Sequence, residues 1–225
     1  MNILIRDCLV LPMDGRDGDK YFRGCVCVKG DKIALVSDSP ADAEAFRASC
    51  GGDLREIDGR GKLVMPGLVN IHNHISMTLM RSFADDMPLM EWLNEHIWPF
   101  ESKVKADDIR IGAELGMAEM LLGGTTTVVD MYWDEIAVAD AAKKTGIRAV
   151  LTPTFTDTRW DDFEKDFAAV AEAYADGQDP RITLMVAPHS VYTCSREHLL
   201  KAKELSEKYG IGINIHVSET QDEQD

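Results

Sequence analysis

No apolar run in this chain approaches the roughly 18 residues a membrane-spanning helix needs, so no transmembrane helix is expected. Basic residues are scarce: 24 Lys and Arg stand against 39 Asp and Glu, a formal charge of −15. A surface of that sign cannot neutralise a row of phosphates, which argues against nucleic acid and anionic membranes as partners. Cysteines are few and odd in number, five at scattered positions (Cys8, Cys25, Cys27, Cys50, Cys194). That pattern excludes a disulfide framework and suits reduced thiols in a cytoplasmic protein. The opening stretch MNILIRDCLVLPMDG is broken by Arg6 and Asp7 before a signal-peptide core can form, so no such leader is expected. Low-complexity segments and long linkers are missing too. What remains is 225 residues, 45% hydrophobic and 28% charged. This describes one large domain, or one and a half ordinary ones, with a sizeable core and no reason for disorder.

The first sixty or so residues carry short alternating apolar runs punctuated by Gly and Asp-Gly: NILIRDCLVL, RGCVCVKGDKIALVS and LREIDGRGKLVMPG. They predict short strands with tight turns, with one short helix over 41–49. Cys25 and Cys27 alternate with Val26 and Val28 and read as packing residues. From Lys62 the pattern changes. Five apolar runs (LVMPGLVNIHNH, TTTVVDMYW, IRAVLTPTF, ITLMVAPHS, IGINIHVSE) are separated mostly by segments with apolar residues at three-to-four spacing, each ending at or near Gly. Strand alternating with helix predicts βαβ units and a parallel sheet, with strands apolar on both faces. The expected division is a β-rich unit over 1–61 and an α/β unit over 62–225. One long insertion, 75–105, interrupts the alternation with Trp92, Trp98 and several Met residues. Loops of that length are usually lids or pocket walls.

The chemistry concentrates at strand ends. His72 and His74 flank Asn73 at the end of the first run, and residues i and i+2 of a strand share a face. By themselves they fit either a shared divalent cation or two metal-free rim histidines. The fifth run places His216 at its own strand end, with Glu219 three residues on, and the fourth ends in His189. Four of six histidines at C-terminal strand ends, where barrel and α/β sites assemble, favour the metal. His96 and His198 fall in helical or loop contexts and read as surface residues.

In PGLVNIHNHISMTLMR (66–81), EWL (91–93), LLGGTTTVVDM (121–131), APHSVYTCS (187–195) and IHVSET (215–220) the chain resembles the amidohydrolase superfamily. The match is closest to the branch of methylthioadenosine/S-adenosylhomocysteine deaminases and the related triazine chlorohydrolases. The resemblance implies a (β/α)8 TIM barrel, of which five strands are present, with a small β-sandwich. It implies a hydrolase acting on non-peptide carbon–nitrogen bonds. Its activity would be deamination of an aminated purine nucleoside of adenosine, methylthioadenosine or S-adenosylhomocysteine type. One divalent metal, zinc or alternatively iron, would be held by His72, His74 and His216; with no lysine in ITLMVAPHS, a one-metal site fits better than a bridged pair. The implied chemistry is attack of metal-bound hydroxide on the amine-bearing carbon, Glu219 protonating the adjacent ring nitrogen and ammonia leaving. Trp92 and Glu101 would line the nucleoside pocket, Glu101 binding the ribose hydroxyls, and His189 would contact a ring nitrogen. Cys194 would only pack at a helix start. The implied partner is a small molecule, and the complete protein would be a homo-oligomer.

Two departures qualify the resemblance. Pro153 stands where members that accept S-adenosylhomocysteine place an arginine, with only Arg159 nearby, which favours a smaller substrate. The family's strand-six histidine and strand-eight aspartate lie beyond Asp225. The 225 residues alone are therefore expected to be inactive and prone to associate, with an inactive short product or half-barrel as the competing class. Within enzymes the alternative is a dechlorinase or deaminase of another heteroaromatic ring.

Overall fold

A computed structural model describes residues 1–15, 20–175 and 177–223; Asp225 lies outside them. The chain divides into two compact units, Met1–Gly67 and Leu68–Asp225. The change of pattern read near Lys62 and the division after Gly67 bracket a two-residue strand, Leu63–Val64.

In the first unit, strands β1 (Asn2–Val10), β2 (Phe22–Lys29), β3 (Lys32–Ser37), β4 (Leu54–Asp58) and β5 (Leu63–Val64) form one sheet in the order β3-β2-β1-β4, with β5 also beside β1. Helix α1 (Pro40–Cys50) connects β3 to β4. Leu4 and Cys8 would share a face in an unbroken strand, yet they pack in different clusters. Leu4 joins Cys25, Cys27 and Ala43, whereas Cys8 joins Val10 and Val26. The cause is a register shift between Ile5 and Cys8, with Asp7 in the left-handed region at φ 60°. One extra residue reverses the alternation, as a β-bulge does. The expected packing role of Cys25 and Cys27 is met by near-complete burial.

The second unit is a parallel sheet. Strands β6 (Leu68–Asn73), β7 (Thr125–Tyr132) and β8 (Arg148–Phe155) pair in that order, followed by β9 (Ile182–Leu184) and β10 (Ala187–Pro188), both beside β8. The fifth apolar run makes two single parallel bridges, Val186 with Ile213 and Ser190 with His216. A continuous fourth strand was expected, but the run breaks between Leu184 and Ala187, and Pro188, lying between the two bridges to the fifth run, has no N–H to donate across to it. Amides of Asn214 and His216 still donate to the carbonyls of Val186 and His189 at 3.0 Å. Helices α4 (Ala106–Leu122), α5 (Glu135–Thr145), α6 (Trp160–Tyr174) and α7 (Arg196–Tyr209) fill the intervals. On α6 the buried positions Phe163, Phe167, Val170, Ala171 and Tyr174 follow helical periodicity. Gly146 and Gly210 end α5 and α7 at φ 85° and 64°, conformations that cost glycine little.

Residues 75–105 differ from the loop their length suggested. They contain a 3₁₀ turn at Ile75–Met80, helices α2 (Leu89–Glu91) and α3 (Trp98–Glu101), and a six-residue π-helical stretch between those two, Trp92–Ile97. Pro99 cannot donate to the preceding turn and its ring crowds the carbonyl there; widening the helix just before it relieves both problems. Helix α4 lies so close to the 3₁₀ turn that a Cβ built on Gly112 would come 2.4 Å from the Ser76 carbonyl oxygen.

Candidate metal centre and its pocket

Alternation along β6 brings His72 and His74 to one end of the sheet, and His216 meets them there from the fifth run. The Nε2 atom of His216 is 3.0 Å from that of His72 and 3.2 Å from that of His74. The other ring nitrogens identify the tautomers. Nδ1 of His74 lies 2.6 Å from the Met131 carbonyl oxygen, and Nδ1 of His216 lies 2.8 Å from that of His189. Carbonyls only accept, so both Nδ1 atoms carry the proton and both Nε2 lone pairs face inward. Nδ1 of His72 faces Asn214 Oδ1 at 3.3 Å and repeats the pattern. Burial, with neighbouring imidazoles adding to it, pushes His74 down to about 4, and burial lowers His216 as well. Three Nε2 lone pairs thus converge, an arrangement that a divalent cation stabilises.

One cavity collects the remaining expected residues: His74, His216, His189, Glu219, Trp92 and Glu101 all line it. His189 packs edge-on to His216, with ring centroids 4.9 Å apart. Its Nδ1 is 3.0 Å from Thr193 Oγ1, and burial holds its pKa down to about 4. Glu219 accepts a 2.8 Å hydrogen bond from the Tyr192 hydroxyl. Glu101 accepts one from Tyr132 at 2.8 Å, and burial raises its pKa. The indole of Trp92 donates to the Ala84 carbonyl at 3.0 Å, which fixes the plane of the ring. A larger adjoining cavity of about 690 Å³ shares Trp98, Glu101, Trp133 and Tyr192 with the first and is lined further by Thr158 and Arg159. The guanidinium of Arg159 lies 4.1 Å over the Trp133 ring. Cys194 is buried, its Sγ donating to the Phe155 carbonyl, as a packing residue would.

His198 is half-buried at the surface and has partners there. Its ring stacks on Trp160 at 4.2 Å with an interplanar angle of 1°, and Nδ1 bonds Asp157 at 2.7 Å. An imidazole gains a partner when a tryptophan of another helix lies across the gap, which single-helix periodicity does not reveal. His96 is half-buried, near Phe83.

Residues 63–225 match the model of the amidohydrolase family. This chain belongs to the amidohydrolase family. Along 99% of its length it is 43% identical to a 5-methylthioadenosine/S-adenosylhomocysteine deaminase of Pelotomaculum thermopropionicum, of which it covers 50%. It is 45% identical to a 5′-deoxyadenosine deaminase of Methanothrix thermoacetophila, with 99% of this chain and 50% of that protein aligned. A crystal structure of an adenosine deaminase from Xanthomonas campestris with bound zinc superposes with a TM-score of 0.79 at 31% identity, covering 98% of this chain and 50% of that one. The chain therefore spans about half the length of the curated relatives it matches.

Several residues close to these groups carried no signal beforehand. Met131 contributes only a carbonyl, which no residue type predicts. Asp130, fully buried, accepts the Ile75 amide at 2.6 Å, and desolvation raises its pKa to about 7. Glu135, also fully buried, accepts the amides of Tyr132 and Thr152 at 3.2 Å; burial and the nearby Asp130 raise it as well. Asn214 had a usable signal: it stands two residues before His216, on the same face of an extended run, as His72 stands to His74.

Proposed function

We propose that this amidohydrolase chain carries the metal-binding half of an enzyme that hydrolytically deaminates purine nucleosides, of adenosine, methylthioadenosine or S-adenosylhomocysteine type. The supporting observation is the convergence of three Nε2 lone pairs in one cavity with Glu219, Trp92 and Glu101. His72, His74 and His216 would hold the cation, zinc by preference for a neutral nitrogen set. When bound, the cation supplies Lewis acidity that makes water a nucleophile near neutral pH. The rest falls to this chain's own groups. Trp92 and Glu101 orient the nucleoside, Trp92 against the base and Glu101 accepting from the ribose hydroxyls. His189 contacts a ring nitrogen and limits the ways the purine can lie. Glu219 holds a proton that it delivers to the ring nitrogen beside the reacting carbon, while the Tyr192 hydroxyl keeps its carboxylate turned into the pocket. Water oxygen replaces the exocyclic amine, and ammonia is released.

The parallel sheet with interleaved helices supports the first part of a (β/α)8 barrel, and the β-rich first unit supports a small sandwich. On substrate choice, Pro153 is buried within β8 opposite Tyr132 and offers a tail nothing to bind. This leaves Arg159 as the cation lining the larger cavity and favours nucleosides with a small 5′ substituent. The test is ammonia release by the full-length protein, metal-loaded, from a panel of adenosine, 5′-deoxyadenosine, methylthioadenosine, S-adenosylhomocysteine and a chlorinated or aminated triazine. Turnover of the purine nucleosides is expected. Turnover of the triazine with no purine turnover would overturn the reading.

A further inference from the structure

Two of the three converging imidazoles are tied to main-chain carbonyls, but His72 depends on one side chain. Its Nδ1 faces the amide of Asn214. An amide can present either oxygen or nitrogen, and the choice decides which tautomer His72 adopts. Oxygen requires the proton on Nδ1 and leaves the Nε2 lone pair free. Nitrogen would force the proton onto Nε2, aimed at His216 Nε2 only 3.0 Å away. The decision is made on the far side of the amide. Thr152 is fully buried, and its hydroxyl donates to the Asp130 carbonyl. With its one proton committed, Thr152 Oγ1 only accepts, and Asn214 Nδ2 sits 3.4 Å from it. The amide nitrogen is thereby turned toward Thr152 and the oxygen toward His72.

We infer that Asn214 is a positioning residue, oriented by Thr152, that presets His72 in the tautomer able to ligate a cation. The chain of donors runs one way, from His72 through Asn214 and Thr152 to Asp130, and links four of the five parallel runs. Partners of this kind, behind a ligating histidine, typically change metal affinity about 10- to 100-fold when removed.

The inference rests on the proposed role of His72 as a ligand, and the experiment separates the two. Zinc affinity is measured by chelator competition on the full-length protein and on Asn214→Leu, Asn214→Asp and Thr152→Val. The cobalt-substituted forms are compared by their visible absorption spectra. Asn214→Leu should lose about 10- to 100-fold in affinity with a changed cobalt spectrum. Thr152→Val should lose less, and Asn214→Asp, which keeps the acceptor, should stay within a few-fold of wild type. Nitrogen-15 chemical shifts of the unsubstituted, metal-free protein should show the His72 proton on Nδ1, a readout that survives if a variant fails to fold. A wild-type protein that binds no zinc overturns the metal reading. Zinc-binding wild type with an equally tight Asn214→Leu variant, an Asn214→Asp variant as weak as Asn214→Leu, or a His72 proton on Nε2 overturns this inference.

Discussion

At the scale of single residues, the site is organised by what each group can no longer do. Carbonyls of Met131 and His189 deny His74 and His216 any tautomer but one, and burial works against the charged form of both. Removing one of three donors from such a set costs most of its affinity. His216→Ala in the full-length protein should therefore drop bound zinc from near one per chain to a small fraction, read by metal analysis after gel filtration. Glu219→Gln should behave differently. It keeps shape and the Tyr192 contact but cannot carry a proton, so metal content should be unchanged while turnover falls about 10²- to 10⁴-fold; a variant near the wild-type rate would remove Glu219 from the chemistry. The four strand-end histidines were legible because the residue type and its position each pointed to the same chemistry. Asn214 was readable only through its spacing to His216; Tyr192 and Asp130 were not, because phenols and buried acids also serve ordinary packing, and only the partner reveals the role. The stacking of His198 was hidden for the same reason: its partner Trp160 lies on another helix.

At the scale of elements, alternating apolar runs and three-to-four periodicity located β6–β9 and α4–α7, since both signals are local. Local signals failed at 75–105, where the π-helical stretch depends on Pro99 and on packing beyond it, and at Pro188, which breaks a ladder without breaking the chain's course. The close approach of α4 to the turn after His74 yields a prediction with a contested sign. Alanine at Gly112 would gain up to about 1 kcal/mol of helix propensity. Its Cβ would also meet a backbone oxygen that cannot swing aside, and overpacking of that kind costs about 1–3 kcal/mol. Crowding should win, so Gly112→Ala should lower the urea midpoint. A second prediction concerns α6, whose Asp166 accepts the Glu135 amide at the start of α5 at 3.1 and 3.2 Å. Burial raises Asp166 from 3.8 to about 6. Between those values the folded chain keeps a proton that the unfolded chain releases, so this contribution to stability falls as pH rises and is gone above the folded pKa. Asp166→Asn should make the decline in unfolding free energy between about pH 4 and 6 shallower. Asp130 and Glu135, shifted in the same direction, should leave part of the slope in place.

At the scale of the whole molecule, the parallel sheet presents apolar side chains that nothing described here covers. Ile71 is 76% exposed and Val217 60%, with Val69 and Leu68 at 57% and 52%. These lie on β6 and the fifth run, the first and last elements of the parallel series. Exposed strand edges carrying large aliphatic side chains recruit other chains, and a barrel interior is filled by side chains from all of its strands. The matched deaminases are about twice as long as the aligned region, which is enough chain to complete such an interior. In a full-length protein of that size Ile71 should be buried. The test is Ile71→Cys in a Cys50→Ser background, since Cys8, Cys25, Cys27 and Cys194 are already buried. Thiol labelling should be slow in the monodisperse full-length protein. It should be fast in a polypeptide limited to residues 1–225, which should also self-associate by light scattering and release no ammonia from adenosine. Rapid labelling of a monomeric, active full-length protein would mean that this face of β6 stays open to solvent, and that the series of strands does not close on itself.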